Sequence, residues 1–476
     1  MLFVRNLIRK LGLNRKLILG TLGAIATCLL LLVVWLVPSK SQVLKPFSGR
    51  PAPKLPTLDR IVSMVDKDRD RLVTMFKDIH QHPELGFMET RTAGIVAKEL
   101  KALGYEVKTG IGKTGVVGIL RNGDGPKVMY RADMDANAVQ ETTGLPYANT
   151  KRVERGGQEV PVMHACGHDA HTVWMLGVAK NMVALKSEWK GTLIMVGQPD
   201  EEGGYGAAAV IEDGLYTKQG VPVPDYLIAL HTAPGPTGLV ANAEGPRMAG
   251  FDQLDVVFKG VGGHGSSPHV TKDPIVMTAN AIVQYQTIVS RAIDPQETAV
   301  ITVGSVQAGI DNNVIPGESL VKINLRWFNP AVRENMLKGI RSINNGIART
   351  YGMPENQLPS LTMKGGGPPL INDKELVDRV SAQLLNLVGQ KALLAAFPAT
   401  TASEDVSVLM GDNKNIKMDF AFVGVADPAL FAKAQAEGKL VPFSNHNANF
   451  QVDLNSIPFG TKVGSVMAME LLSSKR

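Results

Sequence analysis

Apolar residues three and four apart predict a helix over residues 58–80, where Ile61, Met64, Val65, Leu72, Met75, Phe76 and Ile79 share one face. A second helix is predicted over 89–103, stopped at Gly104. The period then shortens. Residues 116–120 and 127–130 read as strands around the turn Asn122-Gly123-Asp124-Gly125. Helical spacing returns over 172–185 with Val173, Leu176, Met182 and Val183, and the apolar runs 192–196 and 226–230 read as buried strands. Helices alternating with buried strands predict an α/β fold. The texture changes near Arg247. Residues 254–258 alternate, a long helix spans 274–291, strands follow at 299–307 and 319–327, and a helix spans 331–351. The order strand-helix-strand-strand-helix-strand predicts a small α+β (ferredoxin-like) unit inserted into the first domain. Gly365-Gly366-Gly367-Pro368-Pro369 marks the return, and a strand near 420–423 and a helix over 457–472 close the chain. The domain boundaries are therefore 58–246 and 364–476 for the two parts of the first domain and 247–363 for the insert.

Charge and composition change this picture at the amino terminus. The formal charge is +6, but the first 54 residues hold nine Lys or Arg and no acid, so the remainder sums to −3. No nucleic-acid partner is expected from such a balance. Two cysteines exclude a disulfide framework, with Cys28 in an apolar run. Residues 17–37 carry no charge over 21 positions. At a rise of about 1.5 Å per residue such a run spans about 30 Å, the thickness of a bilayer core. Arg5, Arg9, Lys10, Arg15 and Lys16 precede it and favour a cytoplasmic amino terminus. The run is longer than a cleaved signal's apolar region of about 7–15 residues. The expectation is a cytoplasmic tail (1–16), a transmembrane signal-anchor (17–37), a linker (38–57) and a catalytic part on the extracytoplasmic side, as on a bacterial inner membrane facing the periplasm.

Candidate chemistry gathers at the ends of the predicted strands, where open α/β sheets place their ligands. Three of the nine histidines lie in His164-Ala165-Cys166-Gly167-His168-Asp169-Ala170-His171. Residues two apart cannot share a helix face, but they can converge from a turn, and Gly167 gives that freedom. Cys166 and His168 then read as two metal ligands just before a helix, with Asp169 free to cap it. A buried structural cysteine, or a cysteine nucleophile with a histidine base, are the competing readings. Asp133 and Asp135 end one strand as ligands, partners of a histidine, or turn acids. Asp200-Glu201-Glu202 end another, and adjacent carboxylates repel unless a cation sits among them. His231 ends a third. Glu404, Asp405 and the Asn445-His446-Asn447 segment follow late in the chain.

In this order the pieces resemble the binuclear metal amidohydrolase and carboxypeptidase family, which includes aminoacylases, hippurate hydrolases and hydrolases of indoleacetyl-amino-acid conjugates. Arg131-Ala132-Asp133-Met134-Asp135, the Cys166 motif and Gln198-Pro199-Asp200-Glu201-Glu202-Gly203-Gly204 carry the resemblance. Gly262-Gly263-His264, Asn313-Val314-Ile315-Pro316, Ser403-Glu404-Asp405 and His446 extend it over roughly residues 65–475. The resemblance implies a mixed-sheet metallopeptidase catalytic domain with an inserted dimerisation domain, and hence a homodimer. It implies two divalent ions, Zn²⁺ or Mn²⁺, on Cys166, His168, Glu202, His231 and His446. It gives Glu201 as general base, His264 as a group reaching a neighbouring active site, and Asn313 and Arg326 for the substrate carboxylate; Asp135, read from its place at a strand end, is counted with the catalytic residues. The chain departs from the family at Asn137-Ala138, at Asp200 and around Asn445 to Asn449, which bears on substrate preference. The resulting reading is a metal-dependent amidohydrolase that cleaves an N-acyl amino acid or short peptide with activated water. A cysteine hydrolase using Cys166 and a membrane-tethered, non-catalytic binding protein are the alternatives.

Overall fold

A computed structural model describes residues 44–473. The chain divides into compact units after Lys45, and every element below belongs to the second. The predicted membrane anchor at 17–37 lies outside the described residues. Among the described residues no helix is long and apolar enough to cross a membrane.

Helix α1 (Leu58–His80) buries Leu58, Ile61, Val65, Leu72, Val73, Phe76 and Ile79 on the face that the spacing predicts. Helix α2 (Thr90–Ala102) leads into β1 (Glu106–Ile111), β2 (Gly115–Asn122) and β3 (Lys127–Asp133). Helix α3 (His168–Ala184), β4 (Gly191–Gln198), β5 (Tyr226–Pro236) and β6 (Val240–Ala241) follow. The insert comprises β7 (Gly250–Lys259), α4 (Pro274–Thr287), β8 (Ala299–Gln307), β9 (Glu318–Trp327), α5 (Pro330–Thr350) and β10 (Ser360–Gly367). Strands β11 (Leu393–Ala396) and β12 (Lys417–Ala426) and helix α6 (Ser456–Leu472) return to the first sheet.

That sheet orders its strands β11-β6-β12-β5-β3-β4-β2-β1. Its centre, β12-β5-β3-β4, is parallel, and β2 joins β4 antiparallel, which makes the sheet mixed. Central parallel strands are covered on both faces, so they read as unbroken apolar runs. In β4, Leu193 and Met195 enter the core beneath α1, α3 and α6, while Ile194 and Val196 enter the core on the opposite face. Each such side chain, fully buried, contributes about 1.5–3 kcal/mol. Parallel direction also brings the carboxyl ends of β3 and β4 level, with Asp133 opposite Gln198. His231 does not end its strand as predicted. It lies within β5, opposite Phe422 of β12, because β12 extends far enough to pair the residues beyond it.

The insert forms a four-stranded antiparallel sheet in the order β8-β9-β7-β10, with its own core of Val256, Phe258, Met277, Tyr285, Val321, Ile323 and Leu325. Asp273 caps α4 by accepting from the Ile275 and Val276 N–H groups, and Pro274 takes the first helical position. The glycine run Gly365 to Gly367 is part of β10 rather than a connection beyond it. Packing explains this: a Cβ on Gly367 would lie 2.9 Å from the Phe251 ring, so glycine lets β10 close against β7.

Candidate active site

The turn before α3 brings two donors together. Gly167 adopts φ 82°, and a Cβ there would meet Thr232 Cγ2 at 2.6 Å. Both facts require glycine. The helix begins at His168, earlier than predicted, and Asp169 is not its cap. Asp169 lies in the first turn, where its charge suits the helix dipole. Its carboxylate faces His80 Nδ1 at 2.6 Å and accepts the Ala170 N–H at 2.8 Å. Burial would strip the proton from His80, but hydrogen bonds and charge from Asp169 and Glu141 outweigh it and push its pKa up to about 9.

Cys166 Sγ lies 3.6 Å from His231 Nε2, and Asn445 Nδ2 donates to it at 3.4 Å. Burial and the charge of Glu202 oppose the thiolate. The imidazoles of His231 and His168 prevail and bring the thiol down to about 6. His231 Nδ1 meets the Thr232 carbonyl at 2.8 Å, which leaves Nε2 facing Cys166. His446 Nε2 is 3.1 Å from Glu202 Oε1. Its backbone sits at φ 64°, a conformation that a non-glycine residue adopts at some cost. Burial alone would raise Glu202, yet His446 and His168 draw it down to about 2.

His168 is oriented by Asp135, whose Oδ1 is 3.2 Å from its Nδ1 and whose Oδ2 accepts the Glu202 N–H at 2.9 Å. Among the described residues the other ring nitrogen, Nε2, is buried without a hydrogen-bond partner. It stands 3.7 Å from Glu202 Oε1 and 3.9 Å from Glu201 Oε2. Donor atoms of Cys166, Glu202 and His446 lie within 4.8 Å of one another, as do those of His168, Glu201 and Glu202, and those of Asp133, His168, His171 and His231. Glu202 and His168 each belong to two of these groups, so the sets merge into one site. Imidazole, thiolate and carboxylate donors, all but the exposed His446 at least partly buried, converge here and fit divalent cations.

Arg131 anchors the acids behind the site. It interrupts the apolar run of β3 between Tyr130 and Ala132, and it is 1% exposed. Its guanidinium donates to Asp133 Oδ2 at 2.7 Å, Glu404 Oε1 at 2.8 Å and Gln198 Oε1 at 2.8 Å. Glu201 lies among Glu404 and Asp405. Burial, then repulsion from Glu404 and Glu202, holds its carboxyl well above the usual range. Burial likewise pushes Asp405 up to about 8. Sequence reasoning gave Arg131, Glu404 and Asp405 no separate role; a charged residue inside an apolar strand was the available signal. Asp133 pairs with His171, a contact that spacing does not reveal.

The insert contributes unevenly. Arg326 bonds to Ser403 and to Asn324, and it is close enough to Glu201 to feel its charge. His264 and Asn313 lie elsewhere, on an exposed loop of the insert. His264 pairs with Val314, its Nδ1 meets Ser266, and the Asn313 carbonyl accepts the Gly265 N–H. These contacts stay within the insert and do not join the cluster.

Residues 129–466 match the family model "Peptidase family M20/M25/M40". Hippurate hydrolase of Campylobacter jejuni is 40% identical over 329 residues, covering 69% of this chain and 82% of its own length. IAA-amino acid hydrolase ILR1-like 4 of Arabidopsis thaliana is 33% identical over 417 residues, covering 85% of this chain and 86% of its own length. Among solved structures, the YXEP protein of Bacillus subtilis, titled a dinuclear metal binding peptidase, superposes with a TM-score of 0.66 at 26% identity. That match covers 86% of this chain and 100% of the other.

Proposed function

The chain belongs to peptidase family M20/M25/M40 and is an amide-bond hydrolase, and from that premise we propose that it cleaves an N-acyl amino acid or short peptide to a carboxylate and a free amino acid. The observation that carries this reading is the convergence of Cys166, His168, Glu202, His231 and His446 around the unpartnered His168 Nε2. These five residues would hold two divalent ions; the mixed thiolate, imidazole and carboxylate donors suit Zn²⁺, and Mn²⁺ follows from the family resemblance. When bound, such a pair supplies an activated water and polarises the amide carbonyl.

The chain's own groups do the rest. Glu201 is the general base: buried among like charges, it takes a proton readily and returns it to the leaving amine. Asp135 orients His168 by holding Nδ1, so that Nε2 faces inward. Arg326 offers a guanidinium to the leaving amino acid's carboxylate. Asn313 serves the substrate carboxylate with Arg326, and His264 acts in the site of a neighbouring protomer, which requires a homodimer through the insert. Residues 17–37 tether this unit to the membrane on its extracytoplasmic side. The cysteine-hydrolase alternative loses His171 as its base, because both ring nitrogens of His171 are engaged.

The test is hydrolysis of a panel of N-acyl amino acids and dipeptides by the purified protein. A chelator should abolish activity and added Zn²⁺ or Mn²⁺ restore it. Activity lost to a thiol reagent but untouched by chelation would instead make Cys166 the nucleophile.

A further inference from the structure

Phe251 is 3% exposed, yet among the described residues it belongs to none of the apolar cores. Its ring is buried against glycine instead. A Cβ on Gly204 would fall 2.7 Å from Phe251 Cε2, and one on Gly367 would fall 2.9 Å from Cε1. Gly204 also adopts φ 68°, so backbone and space both exclude a side chain there. This glycine closes the turn that carries Glu201 and Glu202: its N–H donates to the Glu201 carbonyl at 2.8 Å. Gln253 follows two residues along β7, on the same face as Phe251, and its Nε2 donates to the Gly203 carbonyl at 3.3 Å. The insert thus grips both glycines of the turn, one by a ring and one by a hydrogen bond.

Strand register dictates this face. Phe251 stands opposite Arg326 of β9 and Gly367 of β10, and Gln253 stands opposite Asn324 and Gly365. Alternate residues Leu254, Val256 and Phe258 enter the insert's own core, so Phe251 and Gln253 face away from it. A Cβ on Gly365 would stand 3.7 Å from the Gly204 carbonyl oxygen, so β10 also passes close to the turn. Arg326 bonds to Ser403, whose neighbour Glu404 shares a group of donor atoms with Glu201. The insert therefore reaches the surroundings of Glu201 twice, through the turn and through the 403–405 segment. The catalytic part holds the other end of the turn, where Asp135 accepts the Glu202 N–H at 2.9 Å.

We propose that Phe251 and Gln253 are positioning residues: by clamping Gly203 and Gly204 from the insert, they set where the Glu201 carboxylate lies against the reacting water. This deepens the hydrolase reading above and rests on it. A general base works only within a narrow geometry, and a misplacement of about 1 Å can cost about 10²-fold in rate.

The experiment uses the metal-loaded full-length protein and the N-acyl amino acid of the panel that wild type cleaves fastest. Gln253→Leu removes the donor at similar volume, and Phe251→Ala removes the ring. Each should lower kcat by about 10–100-fold while KM changes by less than about threefold. Metal content should stay at the wild-type value. Phe251→Leu, which refills the space, should recover most of the kcat lost in Phe251→Ala. Coupling is the sharpest readout. In a Glu201→Gln background, Gln253→Leu should cost less than about threefold more, because no base remains to be misplaced. An unchanged kcat in Gln253→Leu overturns the inference. So does a raised KM at constant kcat, a loss of bound metal, or the full loss of rate repeated on top of Glu201→Gln. In each case wild type still cleaves the compound, and the hydrolase reading stands. Gln253→Leu alone decides the matter if Phe251→Ala does not fold. A wild type without metal-dependent hydrolysis of any panel member defeats both.

Discussion

The Thr232 N–H donates to His171 Nε2 at 2.8 Å. An accepting Nε2 places the ring proton on Nδ1, which donates to Asp133 Oδ1 at 2.6 Å. His171 is therefore neutral and doubly engaged, and burial accordingly pushes its pKa down to about 3 against the pull of Asp133. Thr232 also donates its hydroxyl to the Cys166 carbonyl at 2.6 Å and follows His231 directly in sequence. One imidazole thus ties together the backbone that carries two of the proposed ligands.

Replacing His171 by Leu should remove that tie. It leaves a buried N–H and a buried carboxylate oxygen unpaired, at about 1–3 kcal/mol for each unsatisfied group. Metal affinity should fall by about 10–100-fold, the usual effect of losing an outer partner of a ligand. His171→Gln, which restores an acceptor, should recover part of the affinity. Calorimetric titration with Zn²⁺ and thermal melts read both effects; unchanged affinity in His171→Leu would show that Thr232 needs no clamp.

Arg131 is the counter-charge for Asp133, Glu404 and Asp405, all buried. Arg131→Met should cost about 3–5 kcal/mol, because breaking a buried ion pair strands its partners. Arg131→Lys should recover only part, since an ammonium cannot reproduce the planar fork. Denaturant midpoints for the three proteins check this, and a Met variant as stable as wild type would contradict it.

Asp419 lies on β12 away from the candidate site and is fully buried. Burial pushes its pKa up to about 7, its hydrogen bond from Asn242 being too weak to reverse this, and among the described residues its Oδ1 has no hydrogen-bond partner. The unfolded chain releases that proton near pH 3.9. Between those values the folded state binds more protons, so stability from the neutral form is full below about pH 4 and is lost as pH rises through about 7. Asp419→Asn should thus gain on wild type as pH climbs from 5 to 8, by about 1–3 kcal/mol. Thermal melts at several pH values give the slope; parallel curves would exclude the effect.

Much of this architecture follows from local patterns. The α1 helix matches residues 58–80 because its apolar stripe is regular and its ends are marked. The insert's alternating strands and long helices give its order for the same reason. The sequence singled out the Cys166-Gly167-His168 turn and the Glu201-Glu202 pair as unusual for a solvated surface, and the structure brings their donor atoms together. What sequence spacing does not carry is partner choice. Asp169 fits a cap by position, yet His80, from another helix, takes its carboxylate. Gly365 to Gly367 fit a hinge, yet they are strand residues shaped by Phe251. His171 and Arg131 act through contacts across 38 and 273 positions, respectively, and no local period encodes such distances.

Variants of Glu201 and Glu202 test whether chemistry and metal binding divide between the two as proposed. Glu201→Gln should retain its ions and fold while losing about 10²–10⁴-fold in kcat, the range for a general base. Glu202→Gln should lose bound metal as well. Retained activity in Glu201→Gln would require another base.

Metal content tests the centre itself. Elemental analysis of the purified protein, before and after exhaustive chelation, should give about two divalent ions per chain, the number expected of a two-metal hydrolase. It should give clearly fewer in Cys166→Ser, His231→Ala and His446→Ala, with hydrolysis falling in step. A protein that carries no bound divalent metal and hydrolyses amides undiminished after chelation would contradict the account.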